Sequence, residues 1–164
     1  MHESWKLNLV PFENSYGRRG SLIQQGYLAL GAGHLEQAAL LMHQVLDIAG
    51  DDYTDRGTAL LLLATLSYKW NRLSEAEQYI QQAYALNAET GNELLWLQSA
   101  TLLARVLYAR GEYTQAQDFL QHLAIALAHP RWYREIELWL AHFALASGDL
   151  VTAQRRLAGQ QTIA

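Results

Sequence analysis

Small and large apolar residues recur in fixed register along the chain. Ala38, Ala76, Ala116 and Ala153 are each preceded three positions earlier by Leu35, Leu73, Tyr113 or Leu150, and followed four positions later by Met42, Ile80, Leu120 or Leu157. Spacings of three and four put these residues on one face of a helix. Just upstream of each alanine lies a short polar turn: Gly33-His-Leu-Glu-Gln-Ala38, Asn71-Arg-Leu-Ser-Glu-Ala76, Gly111-Glu-Tyr-Thr-Gln-Ala116 and Gly148-Asp-Leu-Val-Thr-Ala153. The alanines are 38, 40 and 37 residues apart. A near-constant period of that size predicts stacked two-helix units.

The punctuation between these units predicts eight helices. The first begins near Arg18 after the Asn14-Ser15-Tyr16-Gly17 cluster and ends at Gly31-Ala-Gly33; its partner covers Leu35–Ala49. Thr54 or Asp55 is the expected N-cap of a third helix running to Trp70, and Ser74 with Glu77 fits a capping box opening a fourth, to about Ala88. The fifth covers 93–110, the sixth 114–127, the seventh 131–147, and the eighth starts near Leu150. His129-Pro130 separates the sixth from the seventh, since the residue before proline is pushed out of the helical region. The expected units are 18–52, 53–90, 91–129 and 130–164, forming one domain. Residues 1–17 match no repeat, and their Trp5, Leu7, Leu9 and Phe12 suit an arm or end cap over the first pair.

Close crossing of the two helices in a unit needs small side chains on both. Gly26, Ala64, Ala104 and Ala141 supply them on the first helices. A small residue in the first helix, a turn residue seven later, Leu or Tyr two after that and Ala three further on resembles the tetratricopeptide repeat, from about Arg18 to Ala158. The closing proline of that family is missing, and the period exceeds its usual length. The longer period, with Asp51-Asp-Tyr-Thr-Asp-Arg56-Gly leading into the second unit and Glu89-Thr-Gly-Asn into the third, is similar to the sensor domain of MalT-like LuxR-family transcriptional regulators. The resemblance implies an all-α, right-handed superhelix of four helix pairs that binds rather than catalyses. It also implies a segment of a longer regulator, since neither a phosphate-binding loop nor room for a helix-turn-helix is present.

Composition narrows the activity further. Twelve Lys+Arg against sixteen Asp+Glu give a net charge of −4 without any basic cluster, which argues against direct contact with nucleic acid. The absence of cysteine excludes disulfides, thiolate metal sites and thiol nucleophiles. The six histidines show no spacing that pairs imidazoles on one helical face, so neither metal nor other cofactor is expected. No Gly-x-Ser-x-Gly elbow occurs, and the chain does not read as an enzyme. Residues 1–10 lack the pattern of a secretory signal and no apolar run spans a bilayer, so the expected location is the cytoplasm, away from the membrane.

In a superhelix of this type the first helices line the concave face. Counting from the small residue of each first helix gives three rows on that face: Gln24, Leu62, Leu102 and Trp139; Tyr27, Thr65, Arg105 and His142; Leu30, Tyr68, Tyr108 and Leu145. With Lys69 nearby, these rows mix large aromatic surface with cations, the side chains that contribute most at recognition sites. Arg105 has the fork geometry to take a carboxylate. The expected binding residues are Gln24, Tyr27, Thr65, Tyr68, Lys69, Arg105, Tyr108, Trp139 and His142; Trp70, Trp96 and Trp132 read as packing between neighbours. The expected partner is a protein, a peptide or a small-molecule inducer. The alternative to a regulator is a free-standing adaptor or chaperone that grips a peptide or helix of its client. Leu157 and Ile163 leave an apolar end through which copies of the chain can associate.

Overall fold

A computed structural model describes residues 15–126 and 130–161. Among these residues there are eight helices and no strand: α1 (Ser15–Gly31), α2 (Leu35–Ala49), α3 (Tyr53–Lys69), α4 (Leu73–Glu89), α5 (Glu93–Ala109), α6 (Tyr113–Ala126), α7 (Pro130–Ala146) and α8 (Leu150–Gln161). The all-α repeat architecture therefore stands as the periodicity predicts. Each helix packs on the next, and α1, α3, α5 and α7 also touch in succession. The first helices thus form one continuous layer, and α2, α4 and α6 each sit between two of them.

The four repeated turns are built alike. Gly33, Gly111 and Gly148 have φ of 81°, 86° and 83°, and Asn71 takes the same left-handed region at 59°. This is the reason only Gly or Asn opens the motif. In each turn the residue that follows donates its backbone N–H to a carbonyl five residues back: His34 to Ala29, Arg72 to Ser67, Glu112 to Leu107 and Asp149 to Ala144, at 2.8–3.0 Å. These bonds occupy carbonyls that the ending helix leaves open.

Ala38, Ala76 and Ala116 are fully buried and Ala153 nearly so, and Met42, Ile80 and Leu120 lie beside the first three in the core. Leu157, by contrast, is exposed on the last helix. Helix α3 is the centre of the stack. It contacts α1, α2, α4 and α5, and it is buried without interruption from Gly57 to Ala64, which is why its sequence is apolar all round.

Several helix starts differ from expectation. Helix α1 begins at Ser15, ahead of Arg18. The cap of α3 is Asp52, whose Oδ1 accepts the Asp55 N–H at 3.1 Å; neither Thr54 nor Asp55 fills that place. Asp52 is also held by Arg19 Nη2 at 2.7 Å, and Asp55 by Arg19 Nε at 2.5 Å, so one arginine from α1 fastens the start of α3. Ser74 does not cap α4: the helix already starts at Leu73, Arg72 precedes it without a side-chain cap, and Glu77 pairs with Arg110 of the neighbouring unit instead. Tertiary ion pairing has displaced the local box. The stretch 127–129 and the arm residues Trp5, Leu7, Leu9 and Phe12 lie outside the described residues.

Candidate functional site

The inner layer lines an open cavity of about 260 Å³ to which all four first helices contribute. Tyr27 and Leu30 come from α1, Leu62 and Thr65 from α3, Leu102 and Arg105 from α5, and Trp139 from α7. The lateral contacts of these helices bring together residues as far apart in sequence as 27 and 139.

Arg105 is the centre of the arrangement. Its guanidinium carbon lies 4.7 Å from the ring centroid of Tyr68 on one neighbouring helix and 4.6 Å from that of Trp139 on the other. Stacking against aromatic faces holds a guanidinium in place while leaving its in-plane N–H groups available. Arg105 Nε is buried and has no hydrogen-bond partner, and among the described residues no carboxylate pairs with this arginine. The other partly buried arginines are engaged: Arg19 as above, and Arg156 with both oxygens of Glu137 at 2.9 Å.

The remaining predicted residues divide into two groups. Thr65 lines the cavity, its hydroxyl donating to the Leu61 carbonyl at 2.9 Å. Tyr27, 42% exposed, also lines it, and desolvation by the surrounding protein raises its hydroxyl pKa above the ordinary tyrosine value. Tyr68 contributes through Arg105. Tyr108 is instead committed to packing: its ring stacks on Phe143 at 4.2 Å, Tyr113 meets it edge-on at 4.7 Å, and its hydroxyl donates to the Phe143 carbonyl at 3.3 Å. His142 is exposed, stands edge-on to Trp139 at 5.6 Å and does not line the cavity. Gln24 and Lys69 are exposed and do not line the cavity.

Three polar wall residues escaped the row counting: Gln98, Thr101 and Glu135. Each lies one helical turn before a counted position, respectively Leu102, Arg105 and Trp139, so extending the same rows one turn back would have found them. Among the described residues no three His, Asp or Glu side chains gather as metal ligands, and no helix is long and apolar enough to cross a membrane.

Comparison with known proteins places this geometry in a family. The model of the MalT-like TPR region matches residues 14–164. The chain belongs to that family. Among solved structures it is similar to the nearly identical TPR-like repeats of a kinesin-light-chain-like protein from Podosopora anserina, with a TM-score of 0.73, 23% identity, and 89% of this chain and 74% of that one covered. A second crystal structure of those repeats gives a TM-score of 0.69 at the same identity and coverage. At that identity the likeness is one of fold. No curated protein matches the chain significantly in sequence. Tetratricopeptide-type repeats are binding scaffolds, generally for other proteins, and the open inner cavity of this MalT-like TPR region is the kind of feature such scaffolds use.

Proposed function

We propose that this MalT-like TPR region is the sensing segment of a cytoplasmic transcriptional regulator, binding an inducer or a protein partner on its inner face without catalysis and without touching nucleic acid itself. The observation that carries the reading is Arg105, stacked between Tyr68 and Trp139 at the cavity wall with its buried Nε unpartnered. A buried donor left open in the free protein is costly unless a ligand completes it.

The cavity also suggests the mechanism. Its wall spans α1 to α7, so a ligand seated there touches every unit at once. It would bind best to one curvature of the superhelix and draw the population toward it. Of the residues predicted for the site, Tyr27, Thr65, Tyr68, Arg105 and Trp139 are the proposed binding set.

The test is a thermal-shift screen of sugars, carboxylic acids and acidic peptides against the wild-type chain, Arg105→Ala and Trp139→Ala. At least one compound is expected to raise the wild-type Tm, with the shift lost in both variants. A stabilising compound indifferent to both substitutions would place binding elsewhere and end the inner-face reading.

A further inference from the structure

Two side chains on the cavity wall carry opposite charges, and among the described residues no counter-charge pairs with either. Arg105 stacks on the rings of Tyr68 and Trp139, and among the described residues it joins no ion pair. Glu135, on α7 one turn before Trp139, lines the same cavity, and among the described residues its carboxylate joins no hydrogen bond or ion pair, including none with Arg105. Three arginines elsewhere are paired across helices: Arg19 with Asp52 and Asp55, Arg110 with Glu77, and Arg156 with Glu137. Glu137 lies only two residues from Glu135 but faces α8.

Beside the two charges the lining is largely aliphatic toward α1 and α3, with Leu30, Leu61, Leu62 and Leu102. The cavity, at about 260 Å³, is smaller than the roughly 300–1,000 Å³ typical of sites for drug-sized molecules. A compact ligand that carries an anionic and a cationic group side by side and an aliphatic body next to them satisfies all three features.

We propose that the cavity binds a free α-amino acid with an aliphatic side chain, its carboxylate on the Arg105 fork, its ammonium on Glu135 and its side chain against the leucines. The inference rests on the inner-face reading above and specifies its ligand. The aromatic rings hold the guanidinium so that its N–H edge meets a carboxylate in two parallel bonds. Glu135 accepts from the ammonium, and each half-buried charge gains a counter-charge.

The full-length chain should be titrated calorimetrically with L-leucine, N-acetyl-L-leucine and L-leucinamide, while the Trp139 indole N–H is followed by NMR, assigned by its loss in Trp139→Phe. L-leucine is expected to shift that indole signal and to bind at least about tenfold more tightly than either analogue, each of which lacks one charge. Glu135→Gln should erase the preference over N-acetyl-L-leucine, and Arg105→Gln the preference over L-leucinamide, with circular dichroism unchanged. Should Arg105→Gln fail to fold, Arg105→Lys keeps the charge but loses the fork and should still weaken L-leucine. Equal binding of L-leucine and N-acetyl-L-leucine, with Glu135→Gln silent, overturns the zwitterion while leaving the inner face as the binding surface. If none of the three compounds moves the indole signal, the amino-acid assignment falls. The thermal-shift screen, which includes no free amino acid, then judges the inner face separately.

Discussion

Gly26 and Gly57 are both buried in first helices, yet they have different reasons to lack a side chain. A Cβ on Gly26 would meet the flexible end of Met42, with Leu62 Cδ2 at 3.3 Å; a Cβ on Gly57 would fall on Asn87 Oδ1. Asn87 is fully buried and tied by its Nδ2 to Ser99 Oγ at 3.0 Å, while its Oδ1 has no hydrogen-bond partner. Methionine gives way readily and alanine is the better helix former, by about 1 kcal/mol over glycine. Gly26→Ala should therefore stay within about 1 kcal/mol of wild type, and Gly57→Ala should lose about 1–3 kcal/mol through overpacking. Urea unfolding of the two variants decides it, and a Gly57→Ala protein as stable as Gly26→Ala would show that the close approach at Asn87 carries no weight. The small-residue row in the sequence includes Gly26 but passes over Gly57. Its neighbour Asn87 is thirty positions away, and no periodicity announces a contact of that kind.

At the scale of the element, the helix ends separate what is local from what is tertiary. Asn92 caps α5 and Asp149 caps α8 through bonds to residues three positions on, which sequence alone can encode. At α3 the Asp52 cap is likewise local but is also gripped by Arg19 from α1, and at α4 Glu77 pairs with Arg110 from the end of α5 where the sequence suggests a capping box. Asp149 also titrates. The Thr152 backbone N–H, and then the Thr152 hydroxyl, hold its carboxyl below the ordinary aspartate value of 3.8. A carboxyl depressed in the folded state contributes stability that is fully present above its unfolded pKa and is lost as pH falls through the folded one. The start of α8 should accordingly fray below about pH 3.8, read from the Thr152 amide exchange rate by NMR. Asp149→Asn keeps a capping oxygen but cannot titrate, so it should remove that pH step. The same step persisting in Asp149→Asn would assign it to another group.

Across the whole molecule, stability follows position in the stack. Units in a solenoid touch only their neighbours, so a terminal helix has fewer partners than a central one. Helix α3 packs on four others, whereas α8 packs on α7 alone and leaves Leu150, Val151 and Leu157 exposed. Native-state hydrogen exchange should find the α3 amides opening only near the global unfolding free energy and those of α8 at a markedly lower one. Equal protection of the two helices would mean that the array unfolds as a single unit.

The sequence by itself determined the helices, the repeat and the four turns. Those depend on contacts within about four residues and on a backbone conformation that only Gly or Asn adopts readily, so they are written locally and repeated. It also placed Tyr27, Thr65, Arg105 and Trp139 on one face, because helical periodicity carries that information. Only the tertiary structure decided which members of that face surround a cavity. Stacking the first helices set Tyr108 against Phe143, left Gln24, Lys69 and His142 outside the cavity, and brought Glu135 into the same wall as Arg105. Such choices depend on the offset between neighbouring helices, and that offset is set by the fit of side chains from different units, which no single stretch of sequence contains.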